Sequence, residues 1–180
     1  MSNFYTGKGD NGSSSIMNGA KLGKSDILME AIGDLDELNS SIGVSLFYVR
    51  DEQMRRELRL IQNELFSLGA ILAAADSKEF NKARVEKRQI ERLEAQIEEM
   101  AQKMPALNKF VLPAGSEESS HLHFSRSVAR RAERHVAGAA QKYQMQPEVL
   151  AYLNRLSSYL FAAAIYLNHK NGIEENNPIY

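Results

Sequence analysis

The sequence has no cysteine and no tryptophan. Without cysteine there can be no disulfides, thiolate metal sites or cysteine nucleophiles. It also lacks an excess of charge of either sign. Its 22 Lys and Arg against 23 Asp and Glu leave a formal charge of −1, so no broad basic field favours nucleic acid. No apolar run approaches membrane-spanning length, and the start, MSNFYTGKG, has no apolar leader core. The expectation is a cytoplasmic protein with neither a membrane nor a nucleic-acid partner. Proline is scarce as well. Pro105, Pro113, Pro147 and Pro178 all fall where periodic segments stop or start.

Between those breaks, apolar residues recur at steps of three and four. Leu28, Ile32, Leu35, Leu38, Ile42, Leu46 and Val49 form one stripe. Leu58, Ile61, Leu65, Leu68 and Leu72 form a second, and Ile90, Leu93, Ile97, Met100 and Met104 a third that stops at Pro105. Asp26 is placed to cap the first helix. Ser116 opens a long helix with Glu117 and Glu118 in its first turn, where the helix dipole favours them. Pro147 starts the last helix, whose stripe is Leu150, Leu153, Ser157, Leu160 and Ala164. No alternating β pattern of useful length is present. The pattern predicts an all-α, five-helix bundle with a glycine-rich N-terminal loop, as one domain over 1–180. Residues 1–24 form the loop, 25–171 the bundle and 172–180 a short polar tail.

Tyr5–Ser15, YTGKGDNGSSS, contains a literal G-x-G-x-x-G at Gly7, Gly9 and Gly12. A dinucleotide fingerprint needs a preceding strand and a βαβ unit, and neither is there. The Walker A spacing also fails, because Ser13 stands where Lys is required. Two readings remain open. Three glycines can curl the backbone into an anion-binding nest, with Thr6, Ser13, Ser14 and Ser15 as extra donors and Lys8 and Lys24 as cations. Alternatively, the segment is a disordered terminus.

In SRSVARRAERHVAGAA, Arg126, Arg130 and Arg134 share a helix face at i, i+4 and i+8, with Glu133 beside them. Their neighbours are small or apolar, which suggests arginines in a buried setting that need anions to meet them. Guanidinium forks match phosphate oxygens. The competing reading is an internal ion-pair lattice with Asp34, Asp36, Glu37 and Glu133. A second motif, Glu118-x-x-His121, occurs once, whereas a di-iron bundle needs two copies plus carboxylates from two further helices. His121 and His123 read as surface or capping histidines.

Together these segments resemble the PduO-type ATP:cob(I)alamin adenosyltransferases. Four ordered blocks carry the likeness: YTGKGDNGSSS; EAIGDLDELNSSIG, with Gly33, Asp36, Glu37, Leu38 and Asn39; KFVLPAGS followed by LHFSRSVARRAER; and YLNRLSSYLF. The resemblance implies a homotrimer with sites between subunits. It also implies transfer of the 5′-deoxyadenosyl group of ATP to cob(I)alamin, giving adenosylcobalamin and triphosphate. By the same likeness, Thr6, Gly7, Lys8, Gly9, Ser14, Ser15 and Lys24 are ATP ligands from the loop. Arg130, Arg131, Glu133, Arg134 and Asn154 are ATP ligands from the helices. Arg126 and Asp36 form an ion pair on the corrinoid side, Phe110 lies beneath the corrin, and the catalytic set is Arg126, Arg130, Glu133, Arg134 and Asp36. Mg²⁺ is expected through the ATP phosphates, not through side chains, and a reductase is a further expected partner. The sequence departs from the family pattern at Asn11, where Lys is common, at Ala114, the first Gly of P-G-G, and at Ser125, usually Ala.

Overall fold

The computed structural model describes residues 4–17, 19–75 and 84–179. Five helices carry the fold: α1 (Ile27–Tyr48), α2 (Glu52–Ala73), α3 (Lys87–Ala101), α4 (Glu117–Ala139) and α5 (Pro147–Lys170). Each start has a local cause. The carboxylate of Asp26 accepts from the Leu28 amide at 2.9 Å, and that of Asp51 from the Met54 amide at 3.0 Å. Ser116 Oγ accepts from the Ser119 amide at 3.1 Å. These bonds satisfy amides that the first helical turn leaves open. Glu86 and Gln89 form a reciprocal capping box on α3, and Pro147 occupies the first turn of α5.

The apolar stripes make the core. Leu28, Leu35, Leu38 and Ile42 of α1 are buried with Leu58, Ile61, Leu65, Leu68 and Leu72 of α2, each such side chain contributing roughly 1.5–3 kcal/mol. Helix α1 packs against α2 and α4, α4 also packs against α5, and α3 packs on α5. At the α1–α4 crossing, Ser45 Oγ and Ser125 Oγ lie 3.0 Å apart in a buried hydroxyl pair. That contact gives the departure at Ser125 a partner inside the core. Among the described residues no helix is long and apolar enough to cross a membrane.

Two boundaries differ from expectation. Helix α3 ends at Ala101, four residues short of Pro105, the position whose carbonyl the proline ring would meet if the helix ran on. The N-terminal segment, read as lacking strands, holds a small antiparallel hairpin. Its strands β1 (Ser13–Ser15) and β2 (Lys21–Gly23) pair Ser13 with Gly23 and Ser15 with Lys21. Three-residue strands show no alternation to detect. The hairpin is anchored by buried Ile16 and by the Met17 amide donating to the Ala73 carbonyl at 3.0 Å.

The residues after α5 do more than trail. The Leu112 amide donates to the Asn176 carbonyl at 2.7 Å, and Asn177 Nδ2 donates to the Phe110 carbonyl at 2.8 Å. Beneath them, buried Asn168 accepts from the Ser116 amide and donates to the Ala114 carbonyl and to Glu175. Gly115 makes this approach possible. Its φ is +126°, and a Cβ there would lie 2.1 Å from Asn168 Oδ1.

Candidate functional site

A cavity of about 660 Å³ opens between α3, the segment 102–116, α4 and α5. Phe110, 80% exposed, forms part of its wall with Phe161, Ile97, His123, Arg126 and Arg130. Apolar surface and guanidinium charge therefore share one concavity. The Arg126 guanidinium carbon lies 5.9 Å from the Phe161 ring centroid, within range of a cation–π contact. Burial, and then the neighbouring Arg130 charge, pull the Arg126 guanidinium below its usual range. Its Nε is buried with no hydrogen-bond partner.

The arginine stripe is not lodged in the interior, as the small neighbouring residues suggested. Arg130 and Arg134 are exposed and Arg126 is half-buried. The buried face of α4 is made by Leu122, Val128, Ala129, Ala132, Val136 and Ala139, and the arginines run along its edge. A spacing of i, i+4, i+8 is common to a buried face and to its margin. Nor is the stripe an ion-pair lattice. Among the described residues no carboxylate lies within 4 Å of Arg126, Arg130 or Arg134. Asp34 and Glu37 of α1 instead take Arg131, with Asp34 Oδ1 at 3.2 Å from its Nε. The Glu37 contact, the larger cause, raises the Arg131 guanidinium above its usual range. His135 Nδ1 lies 2.7 Å from Asp34 Oδ2. Arg134 Nη1 donates to the Arg130 carbonyl at 3.0 Å, and Asn154 Nδ2 of α5 donates to Glu133 Oε1 at 3.0 Å. Arg130, Glu133, Arg134 and Asn154 thus form one continuous polar edge across α4 and α5. Asp36 is exposed on α1, and among the described residues no ion pair joins it to Arg126.

The glycine segment forms a separate structure. Gly7 and Gly12 adopt φ of +69° and +78°, conformations that favour glycine. Several of its amides are engaged locally: Asp10 N on Gly7 O, Gly12 N on Gly9 O, Ser13 N on Asn11 Oδ1 and Lys8 N on Thr6 Oγ1. Lys24 folds over the turn, its Nζ 3.5 Å from the position a Gly9 Cβ would take. Thr6, Lys8 and Lys24 are exposed, and Ser14 and Ser15 lie on β1. Among the described residues no hydrogen bond or ion pair joins this segment to Arg130, Glu133, Arg134 or Asn154. The chain therefore presents two polar surfaces, each open.

The residues of the E-x-x-H motif serve the fold. Glu118 accepts from the Arg50 amide at 2.8 Å, and His121 stacks on Tyr48 with ring centroids 4.1 Å apart. A second cavity, of about 390 Å³, lies where α1 ends and α4 begins. Two of its lining charges are paired with each other, Lys170 with Asp51 at 2.7 Å. His123 departs from its expected surface role. It is 2% exposed, and burial first, then the Arg126 charge, pushes its pKa down to about 4. The signal missed in the sequence was its register with Leu122 and Ser125 on the buried face of α4.

The fold is thus a helical bundle whose cavity joins aromatic and guanidinium side chains, with a glycine hairpin packed at another edge, the form of a small-molecule-binding bundle. The family model described as cobalamin adenosyltransferase matches residues 4–167, and the chain belongs to that family. It is 39% identical over 174 residues to a corrinoid adenosyltransferase of Bacillus subtilis, covering 94% of this chain and 89% of that protein. It is 38% identical over 178 residues to the corrinoid adenosyltransferase MMAB of Bos taurus, covering 96% and 74%. Among solved structures, a variant of the PduO-type ATP:corrinoid adenosyltransferase from Lactobacillus reuteri, complexed with cobalamin and ATP, superposes with a TM-score of 0.94. That pair is 33% identical, with 99% of this chain and 100% of that one covered.

Proposed function

We propose that the chain is an ATP:cob(I)alamin adenosyltransferase. The cobalt(I) lone pair attacks C5′ of ATP and a Co–C bond forms. The C5′–O bond breaks, and its electron pair leaves with triphosphate. No protein nucleophile is needed, in keeping with a chain without cysteine. The work left to the protein is positioning and stabilising the leaving charge.

The observation that carries this reading is the cavity that sets Phe110 beside Arg126 and Arg130. Cationic side chains without carboxylate partners suit an incoming polyphosphate. Arg130 and Arg134 hold the triphosphate, with Lys8 and Lys24 from the loop and with Thr6, Gly7, Gly9, Ser14 and Ser15 as further ligands. ATP arrives as its Mg²⁺ complex. Glu133, held by Asn154, orients the arginine edge. Arg131 is already committed to Asp34 and Glu37, so its part is to set the angle of α4 on α1. Phe110 offers cobalt no ligand atom, which favours reduction to cobalt(I).

Among the described residues no hydrogen bond or ion pair joins the glycine hairpin to the arginine edge, which supports sites completed between subunits; the family likeness makes that assembly a homotrimer. In that assembly Asp36 of one subunit faces Arg126 of the next. A cytoplasmic reductase supplies the electron. The test is incubation with MgATP and chemically reduced cobalamin. A light-sensitive alkylcobalamin spectrum is expected, and its absence overturns the reading.

A further inference from the structure

His123 is not explained by its role in the fold. Both ring nitrogens are buried and have no hydrogen-bond partner, although the residue lines the cavity that holds Phe110 and Arg126. An imidazole left in this state destabilises the chain, because a buried unpaired donor or acceptor loses its hydration and gains nothing. Leucine or phenylalanine would fill the place without that penalty. The group is neutral at working pH, since burial and the adjacent Arg126 hold its pKa at about 4. A neutral imidazole carries one donor and one acceptor. Its nearest aromatic contact, the Phe161 ring, is 5.9 Å away and tilted by 58°. No hydrogen bond holds either nitrogen in place, and the χ2 well of histidine is broad.

We infer that His123 is a substrate-specificity residue that rotates into the filled cavity and exchanges hydrogen bonds with a peripheral carboxamide of the corrin. This rests on the function proposed above. A primary amide presents both a donor and an acceptor, the complement of the neutral ring. The buried Arg126 Nε, also without a partner, supplies a second donor on the same wall. The cost in the empty chain is then the stability given up for recognition.

The test compares His123→Leu and His123→Gln with the parent protein, using MgATP and chemically reduced cobalamin. His123→Leu is expected to raise the melting temperature of the free protein and to raise the corrinoid KM about tenfold. The ATP KM should stay within about twofold. His123→Gln, which retains a donor and an acceptor, is expected to recover most of the corrinoid affinity. Three results would overturn the inference: a lower melting temperature with unchanged corrinoid KM in both variants, a shift in the ATP KM instead, or glutamine no better than leucine. An inactive parent protein would instead overturn the adenosyltransferase reading, so the two failures are distinguishable.

Discussion

Two charged regions of this bundle have opposite designs. Where α2, α3 and α5 meet, Arg92 pairs with Glu57 and with Glu64, whose carboxylate lies 2.6 Å from its Nη2. Tyr152 OH donates to the same Glu64 at 2.7 Å. Every charge in that group has a partner, and both carboxylates are buried. Along α4, Arg126, Arg130 and Arg134 sit at the margin of the core with no carboxylate within reach among the described residues. A matched cluster can hold helices together but has nothing left to offer a ligand. An unmatched one adds little to the fold and keeps its full charge for what arrives. The partners of an arginine say more about its purpose than its burial does.

Breaking the matched side should give the largest effect. Arg92→Met strands two buried carboxylates and is expected to cost about 3–5 kcal/mol in urea unfolding, with adenosyl transfer per folded molecule unchanged. A variant as stable as the parent would erase the contrast. On the unmatched side, Arg130→Ala should lower turnover on the order of 10²-fold and leave the urea midpoint in place. If the midpoint falls and turnover holds, the stripe is structural. Phe110→Ala sharpens the division of labour inside the cavity. Its loss should be about tenfold greater starting from cobalt(II) and a reductant than from pre-reduced cobalt(I), the equivalent of 59 mV in a one-electron couple. Equal losses would make Phe110 only a wall.

A last contrast lies in pH dependence. His123 titrates near 6.5 when unfolded and at about 4 when folded. Between those values the unfolded chain binds the extra proton, so stability rises with pH across that window and falls on acidification. Asp26 and Asp51 are held below the usual 3.8 by bonds to Lys142 and Lys170 respectively. Their contribution is present above the unfolded value and is lost at more acid pH, below the His123 window. Thermal melts from pH 4 to 7 should therefore flatten in His123→Leu. An unchanged slope would assign the dependence elsewhere.

Helix number, order and caps were legible because three- and four-residue periodicity and capping chemistry are local. Asp26 and Ser116 cap where expected. The hairpin was not legible, since Ser13–Ser15 and Lys21–Gly23 carry no apolar alternation. The stripe on α4 was visible, but whether it faced core, partner or solvent depended on how α1 and α5 flank it. The same dependence hid the fate of Arg131, whose acceptors are some 95 positions away in sequence on α1. His123 was misjudged for a related reason. Position near a helix start suggested exposure, while the packing of α4 between α1 and α5 decided burial.

An aromatic ring held in the open is normally unstable in its placement, for on a slack segment it would fold down onto the nearest oily surface. Here the segment after α5 reaches back and grips the main chain at Phe110 itself and two residues on, through Asn177 and Asn176. The last stretch of sequence is thus a mooring line for a residue some 65 positions upstream. Shortening it would leave every wall of the cavity intact and still let the ring drift, so that substrate would meet a blunted floor in an otherwise well-folded bundle.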